Sequence, residues 1–316
     1  MKIHIPNSKK LRGPQIFCSR LYEAMLEIPN VELVDPSFCS VQLHSIEFQN
    51  VQKGVKNILR LDGVYYHNGP RHDWKKRNRP IKASFDKADG IIYQSNFSKA
   101  LCEKYLGKTK VPYAVIYNGA DPRDYVLNSL KTTFHQPFFL TVANWRSFKR
   151  LKDIIESFLI ADLKNTNLVV VGDITKAGIA DKLEKYRKDS RIQFLGNRNQ
   201  KELAPYYASC AALIHIGWLD NCPNTAVEAI CAGKPVICGN IGGTKEIVQK
   251  SGGIVLDIEK DYNLEPIDIY NPSPISRNLV VDAMYRCINE DFSIKNSHVD
   301  IRNTAMKYLD FFRKIV

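Results

Sequence analysis

The sequence holds no run of about twenty apolar residues able to span a bilayer. Its eight cysteines form no C-x-x-C pair, and no paired-aspartate metal motif occurs. It also lacks low-complexity segments and any repeat with the roughly 20 to 50 residue period of a solenoid or propeller. Membrane-spanning and repeat architectures therefore drop out, and a soluble globular protein is the default. Cys210, Cys231 and Cys238 sit in apolar strand or helix contexts, which favours buried free thiols in a reducing cytoplasm over disulfides or a zinc centre. The stretch "MKIHIPNSKK" reads as a buried strand, because a signal peptide needs a longer apolar segment and a small-residue cleavage site. The expected location is cytoplasmic, with peripheral contact at a membrane surface left open.

What is present is length, positive charge and alternation. The 316 residues exceed one average domain and suit two. The formal charge is +12, densest in "RHDWKKRNRPIK", with Arg71, Lys75, Lys76, Arg77, Arg79 and Lys82. That stretch is either a solvated loop or the contact for an anionic partner such as phosphate, nucleic acid or lipid headgroups. Apolar strands alternate with helical stretches, the pattern of parallel sheets covered on both faces. "KIHIP" precedes "GPQIFCSRLYEAMLE", "NILRLDG" precedes "PIKASFDKA", and "GIIYQS" precedes "NFSKALCEKYL". After a polar, turn-rich "PRDYVLNSLKTTFHQP", the alternation resumes with "FFLTVANW", "KRLKDIIESFLIADL", "TNLVVVGD", "AGIADKLEKYRKD", "IQFLGN", "NQKELAPYYASC" and "AALIHIGW". Two open, doubly wound α/β domains are expected over residues 1–128 and 135–295, with a helix at 296–316 crossing back to the first. Open parallel sheets bind ligands beyond the carboxyl ends of their strands. The chemistry is therefore sought in those loops, facing a cleft between the domains.

The most informative stretch is "DNCPNTAVEAICAGKPVICGNIGGTKEIV", residues 220–248. Pro223 and Asn224 end a strand and offer a helix N-cap, which leaves the N–H groups of Thr225 and Ala226 at the positive end of the helix. Such a tip is an anion site suited to phosphate. Glu228, read in the first turn, either accepts two hydrogen bonds from a ribose-like diol or only complements the helix dipole. Gly242 and Gly243 either let the backbone turn close to a ligand or serve packing.

In this order the residues resemble the signature of retaining glycosyltransferases of the GT-B fold, specifically the large family numbered four. Asp220 and Glu228 have that family's carboxylate-to-Glu spacing, and "EAICAGKPVI" and "GGTKE" follow in register. "VANWRSFKRLKDIIESF" is similar to the family segment that would put Arg146 and Lys149 at a donor diphosphate, where fixed cations stabilise the leaving charge. By the same resemblance Gly196, Asn197 and Arg198 lie near the nucleobase, and "IPNSKKLRGPQIF" brings Gly13 to the phosphates and sugar. "ADGIIYQSNFSKAL" and "VIYNGAD" match family segments of mostly architectural role. Asp62 falls where many members carry a sugar-contacting His; it binds a sugar hydroxyl, orients the acceptor or is a turn residue before Gly63. His67, His72 and Asp73 are further candidates in the following loop.

Two departures from the family pattern stand out. Asp220 replaces a Glu one methylene longer, and Asn221, Cys222 and Pro223 replace the usual glycines and aromatic, reshaping the loop on the sugar. The resemblance implies transfer of a sugar from a UDP- or GDP-linked donor to a hydroxyl of a glycan, glycoprotein or glycolipid acceptor. It implies retention at the anomeric carbon, no cofactor and no metal requirement. Three other readings are an epimerase of the same architecture, a donor-binding pseudoenzyme and a basic nucleic-acid-binding protein. The last is disfavoured by the spread of Lys and Arg over both halves and the absence of an aromatic-basic platform.

Overall fold

Segments such as "FFLTV" and "NLVVV" are too short for helices and apolar on both faces, which suits strands buried on both sides of a parallel sheet. A computed structural model of the chain describes residues 1–7, 13–68, 73–126, 134–258 and 260–316. Readings that rest on the loop 8–12, on Arg71 and His72, or on 127–133 of the polar segment lie outside the described residues. The chain divides into two units: Met1–Asp121 with Tyr262–Asp268 and Ser297–Val316, and Pro122–Asp261 with Ile269–Asn296.

In the first unit the elements run β1 (Lys2–His4), α1 (Gly13–Leu26), β2 (Glu32–Leu33), β3 (Val41–Ser45), β4 (Lys56–Leu61), α2 (Trp74–Phe85), β5 (Gly90–Tyr93), α3 (Asn96–Leu106) and β6 (Tyr113–Val115). All strands pair in parallel, in the order β2-β1-β3-β4-β5-β6. The second unit runs β7 (Phe138–Val142), α4 (Leu151–Ala161), β8 (Asn167–Val171), α5 (Leu183–Arg187), β9 (Ile192–Gly196), α6 (Gln200–Ser209), β10 (Ala212–His215), α7 (Asn224–Cys231), β11 (Val236–Gly239), α8 (Gly243–Ser251), β12 (Ile254–Leu256) and α9 (Arg277–Asn289). Its parallel order is β12-β11-β10-β7-β8-β9. Each unit is thus a doubly wound, Rossmann-like sheet of six strands, and its strand order reverses at β1/β3 or at β7/β10.

The last helix, α10 (Ile301–Ile315), belongs to the first unit. Its spacing of Ile301, Ala305, Tyr308, Leu309 and Phe312 makes one apolar stripe, fully buried with Phe17 and Leu21 of α1. Asp300 caps the helix by accepting from the Arg302 N–H at 2.9 Å. Gly119 is required beside it, since a Cβ there would lie 2.8 Å from the Ile301 Cα. All eight cysteines are buried and none forms a disulfide; burial pushes the Cys102 and Cys210 thiols up to about 12. Among the described residues, no helix is long and apolar enough to cross a membrane.

Some elements differ from the sequence reading. The helix expected from Pro80 begins at Trp74, so "WKKRNR" is helix rather than loop; Asp73 caps it by accepting from the Lys76 N–H at 2.9 Å. Pro80 lies inside that helix, where it has no N–H to give the Lys76 carbonyl, and the Ser84 hydroxyl donates back to the Pro80 carbonyl at 2.9 Å. The helix read over "AGIADKLEKYRKD" condenses to the five residues of α5, the chain before it turning at Gly178, whose φ is +72°. Strand β3 went unread because Gln42 and His44 break its apolar pattern. Both are buried, with His44 Nε2 at 2.9 Å from Asn57 Oδ1.

Candidate functional site

In the second unit β7 and β10 are neighbours, and their carboxyl ends open into loops 143–150 and 216–223. The first loop is anchored by Trp145, whose buried indole donates to the Val171 carbonyl at 2.9 Å. One short turn, Ser147–Lys149, follows, and Arg150 then takes a left-handed conformation, with its guanidinium donating to the Ser273 carbonyl at 2.7 Å. The two loops are joined where the Trp218 N–H donates to the Phe148 carbonyl at 2.8 Å. Gly172 makes room for the first loop: a Cβ there would fall 1.8 Å from the Ala143 carbonyl oxygen.

This scaffold brings Lys149 and Asp220 together. The Lys149 ammonium donates to Asp220 Oδ2, and His215 Nε2 lies 2.8 Å from the same oxygen. Burial alone would raise the Asp220 carboxyl; the Lys149 charge and the His215 hydrogen bond outweigh it and hold the group far below the usual carboxylate range. An ionised carboxylate only accepts, so His215 Nε2 carries the proton and Nδ1 accepts from the Thr225 hydroxyl at 3.4 Å. Gly217 closes over this group: a Cβ there would meet Lys149 Cδ at 3.1 Å and Asp220 Oδ2 at 3.4 Å. The Asp220 carbonyl accepts from the Gly243 N–H at 2.7 Å, and a Cβ on Gly242 (φ +101°) would lie 2.8 Å from that same carbonyl oxygen. The double glycine is therefore used to hold the backbone of Asp220.

Helix α7 starts one residue earlier than read. Pro223, not Asn224, is the N-cap, because its restricted φ (−68°) fits the extended cap conformation. The Pro223 side chain makes no cap bond, and the first helical bond is Val227 N–H to the Pro223 carbonyl at 3.2 Å. The amides of Asn224, Thr225 and Ala226 precede that bond. Glu228 accordingly sits in the second turn rather than the first, buried at 7% exposure. Cys222 is buried, and Asn221 half-buried, beside Asp220.

Arg146 stays apart from the Lys149–Asp220 pair, its guanidinium donating to Asn144 Oδ1 at 3.1 Å and to the Trp145 carbonyl at 3.0 Å. Gly196, the last residue of β9, and Asn197 and Arg198 after it are exposed, and Asn199 and Glu202 then form a capping box for α6.

In the first unit Gly13 is the exposed first residue of α1. Asp62, directly after β4, accepts on Oδ1 from the Arg60 guanidinium and the Gln94 amide. Arg60 is wholly buried, packs 4.2 Å above the Phe17 ring, and also donates to Asn118 Oδ1 at 2.6 Å. Asp62 is thus fixed at the carboxyl ends of β4, β5 and β6 by residues that follow each strand or close it. Asp73 is occupied in capping α2, and His67 Nδ1 sits 3.2 Å from the Ile267 carbonyl oxygen, in the returning segment 262–268. The cations of α2 border a groove of about 480 Å³ with Trp74 and Tyr105.

His215, Gly217, Arg60 and Gln94 were missed by the sequence reading. A polar residue closing an apolar strand, as in "ALIH" and "LRLD", is the signal that could have found them.

The model of the family described as "Glycosyl transferases group 1" matches residues 128–264. Alpha-1,3/1,6-mannosyltransferase ALG2 of Dictyostelium discoideum is 23% identical over 260 residues, covering 70% of this chain. The chain spans 61% of the length of that relative. Sucrose-phosphate synthase from Thermosynechococcus elongatus superimposes with a TM-score of 0.71 at 14% identity, covering 99% of this chain and 98% of that one. Anabaena HepE, crystallised with UDP and glucose, gives a TM-score of 0.65 at 16% identity, with 99% of both chains covered.

Proposed function

From a chain whose residues 128–264 belong to the group 1 glycosyl transferases and whose two sheets have the GT-B fold, we propose a retaining transfer of a sugar from a UDP- or GDP-linked donor to a hydroxyl acceptor. One observation carries this reading. At the strand-order reversal of the second sheet, Lys149 and Asp220 meet from two different loops, and the N-terminal tip of α7 is tied to them through Thr225 and His215.

In this reading the α7 amides and Lys149 bind the diphosphate, and the charge that builds up as the glycosidic bond breaks is stabilised by them without a metal. Arg146 turns from its own loop to the diphosphate once donor is bound. Glu228 binds the ribose hydroxyls, Asp220 and its neighbours Asn221 and Cys222 the sugar, and Gly196 and Asn197 the base. Gly13 and Asp62 supply the sugar or acceptor contacts of the first unit. The acceptor oxygen attacks from the face the diphosphate leaves. Its proton passes to a leaving-phosphate oxygen, so the C–O bond formed and the C–O bond broken share one face. The acceptor is a glycan, glycoprotein or glycolipid, and the cationic groove of α2 favours an anionic or lipid-linked one.

Calorimetry with UDP and GDP tests the binding step. NMR of the product anomer after incubation with the matching donor tests retention, and activity is expected to survive chelation. No heat with either nucleotide would overturn the reading.

A further inference from the structure

His215 closes strand β10, where parallel pairing with Cys238 of β11 fixes its backbone and its side chain is 5% exposed. Its Nε2–H reaches Asp220 Oδ2 at 2.8 Å, the same oxygen that receives the Lys149 ammonium. The Gly217 backbone packs against that side as well, since even a Cβ there would stand 3.4 Å from Oδ2 and 3.5 Å from His215 Nε2. Oδ2 is therefore enclosed by a cation, an imidazole and a bare backbone. Asp220 Oδ1 takes no hydrogen bond among the described residues.

We propose that His215 is a positioning residue: with Lys149 it locks Asp220 Oδ2 and leaves Oδ1 as a single acceptor aimed at a hydroxyl of the transferred sugar. The inference rests on the functional reading above. Two further features support it. The ionised Asp220 carboxylate requires Nε2 to donate, and the Thr225 hydroxyl, 3.4 Å from His215 Nδ1, is able to donate to the other nitrogen of that tautomer. A carboxylate held ionised can only accept, so the group it selects is a donor, as a sugar hydroxyl is, never an ether, a carbonyl or another carboxylate. The clamp is also specific to a short carboxylate. A glutamate at 220 would carry its oxygens one methylene further, past the reach of an imidazole that the strand cannot move.

The test compares His215→Phe, which keeps the ring volume but removes the donor, with His215→Gln, whose amide restores an N–H near Nε2. Each is assayed for kcat, donor KM and calorimetric affinity for the free nucleoside diphosphate. His215→Phe is expected to lower kcat on the order of 100-fold, the size of an ångström-scale misplacement, with nucleoside diphosphate affinity unchanged. His215→Gln should recover much of that loss, and His215→Phe should add nothing in an Asp220→Ala background. Against monodeoxy donors, the wild type should discriminate at one hydroxyl, and His215→Phe should lose that discrimination. A wild-type kcat in His215→Phe overturns the proposal. So does an equal loss in both variants together with lost nucleotide affinity, because that is the outcome of a space-filling histidine. Nitrogen-15 NMR of the imidazole separates this from the parent reading. The Nε2–H tautomer, shifting in Asp220→Asn, is expected whether or not turnover exists. If that tautomer is found without nucleotide binding, the functional reading and the sugar contact fall while the clamp stands; the opposite tautomer overturns the clamp itself.

Discussion

The ammonium of Lys149 is bonded to the carboxylate of Asp220 across 71 positions of chain, and neither side chain is more than about a quarter exposed (16% and 22%). The loops after β7 and β10 are thereby joined by charge as well as by the bond from the Trp218 N–H to the Phe148 carbonyl. The Lys149 ammonium carries three N–H donors, so it can hold Asp220 and still turn a donor to an anionic ligand.

That pair makes stability depend on pH in a definite direction. Asp220 is held below its unfolded pKa, so its contribution is fully present above about pH 4 and fades as pH falls through the folded value. Asp220→Asn is expected to lower unfolding free energy at pH 7 by about 1–3 kcal/mol. The gap from wild type should narrow in urea titrations at progressively lower pH below 4.

Lys149→Ala should cost kcat about 100- to 1,000-fold, the loss typical of one fixed transition-state donor. Urea midpoints should fall as well, since Asp220 loses the largest interaction that holds it ionised and keeps only His215. Steady-state kinetics alongside unfolding curves check both halves.

Glycine substitutions should separate site from scaffold. Gly217→Ala meets only side-chain atoms, at 3.1–3.5 Å, so it is expected to depress turnover at least tenfold while thermal midpoints shift by no more than about 2 °C. Gly172→Ala meets the Ala143 carbonyl oxygen at 1.8 Å with φ at +115°, and should lose about 3 kcal/mol or more or fail to accumulate as folded protein.

In the first unit, Arg60→Met removes one partner of a buried pair and leaves Asp62 and Asn118 facing an apolar chain. A loss of about 3–5 kcal/mol is expected. Arg60→Met with Asp62→Leu should be less destabilised than Arg60→Met alone, measured by denaturant unfolding.

The fold was legible because short apolar runs alternating with amphipathic stretches admit few other solutions. Asp220 and Glu228 were legible because their spacing is anchored by proline and glycine. Legibility failed where one residue type has two uses. Pro80 reads as a helix boundary because the residue before a proline avoids the helical region, yet α2 runs through it. Pro223 and Asn224 read together as strand stop and N-cap; Pro223 is the cap, which sets Glu228 in the second turn rather than the first. His215 looks like any polar residue in a strand until coordinates bring Asp220 to its Nε2. Nothing in "NILRLDG" marks Arg60 as buried, yet the Phe17 ring lies 4.2 Å below its guanidinium.

Because residues 297–316 complete the unit that residues 1–121 begin, the second sheet is threaded into the first as an insert. A fragment cut before residue 297 would bare the face of α1 that holds Phe17 and Leu21 to water and should aggregate, whereas 122–296 keeps all its own strands. The joints for dissecting or permuting this protein are thus not midway along the chain but at its four crossings between the units, near 121 and 297 and on either side of the returning segment 262–268.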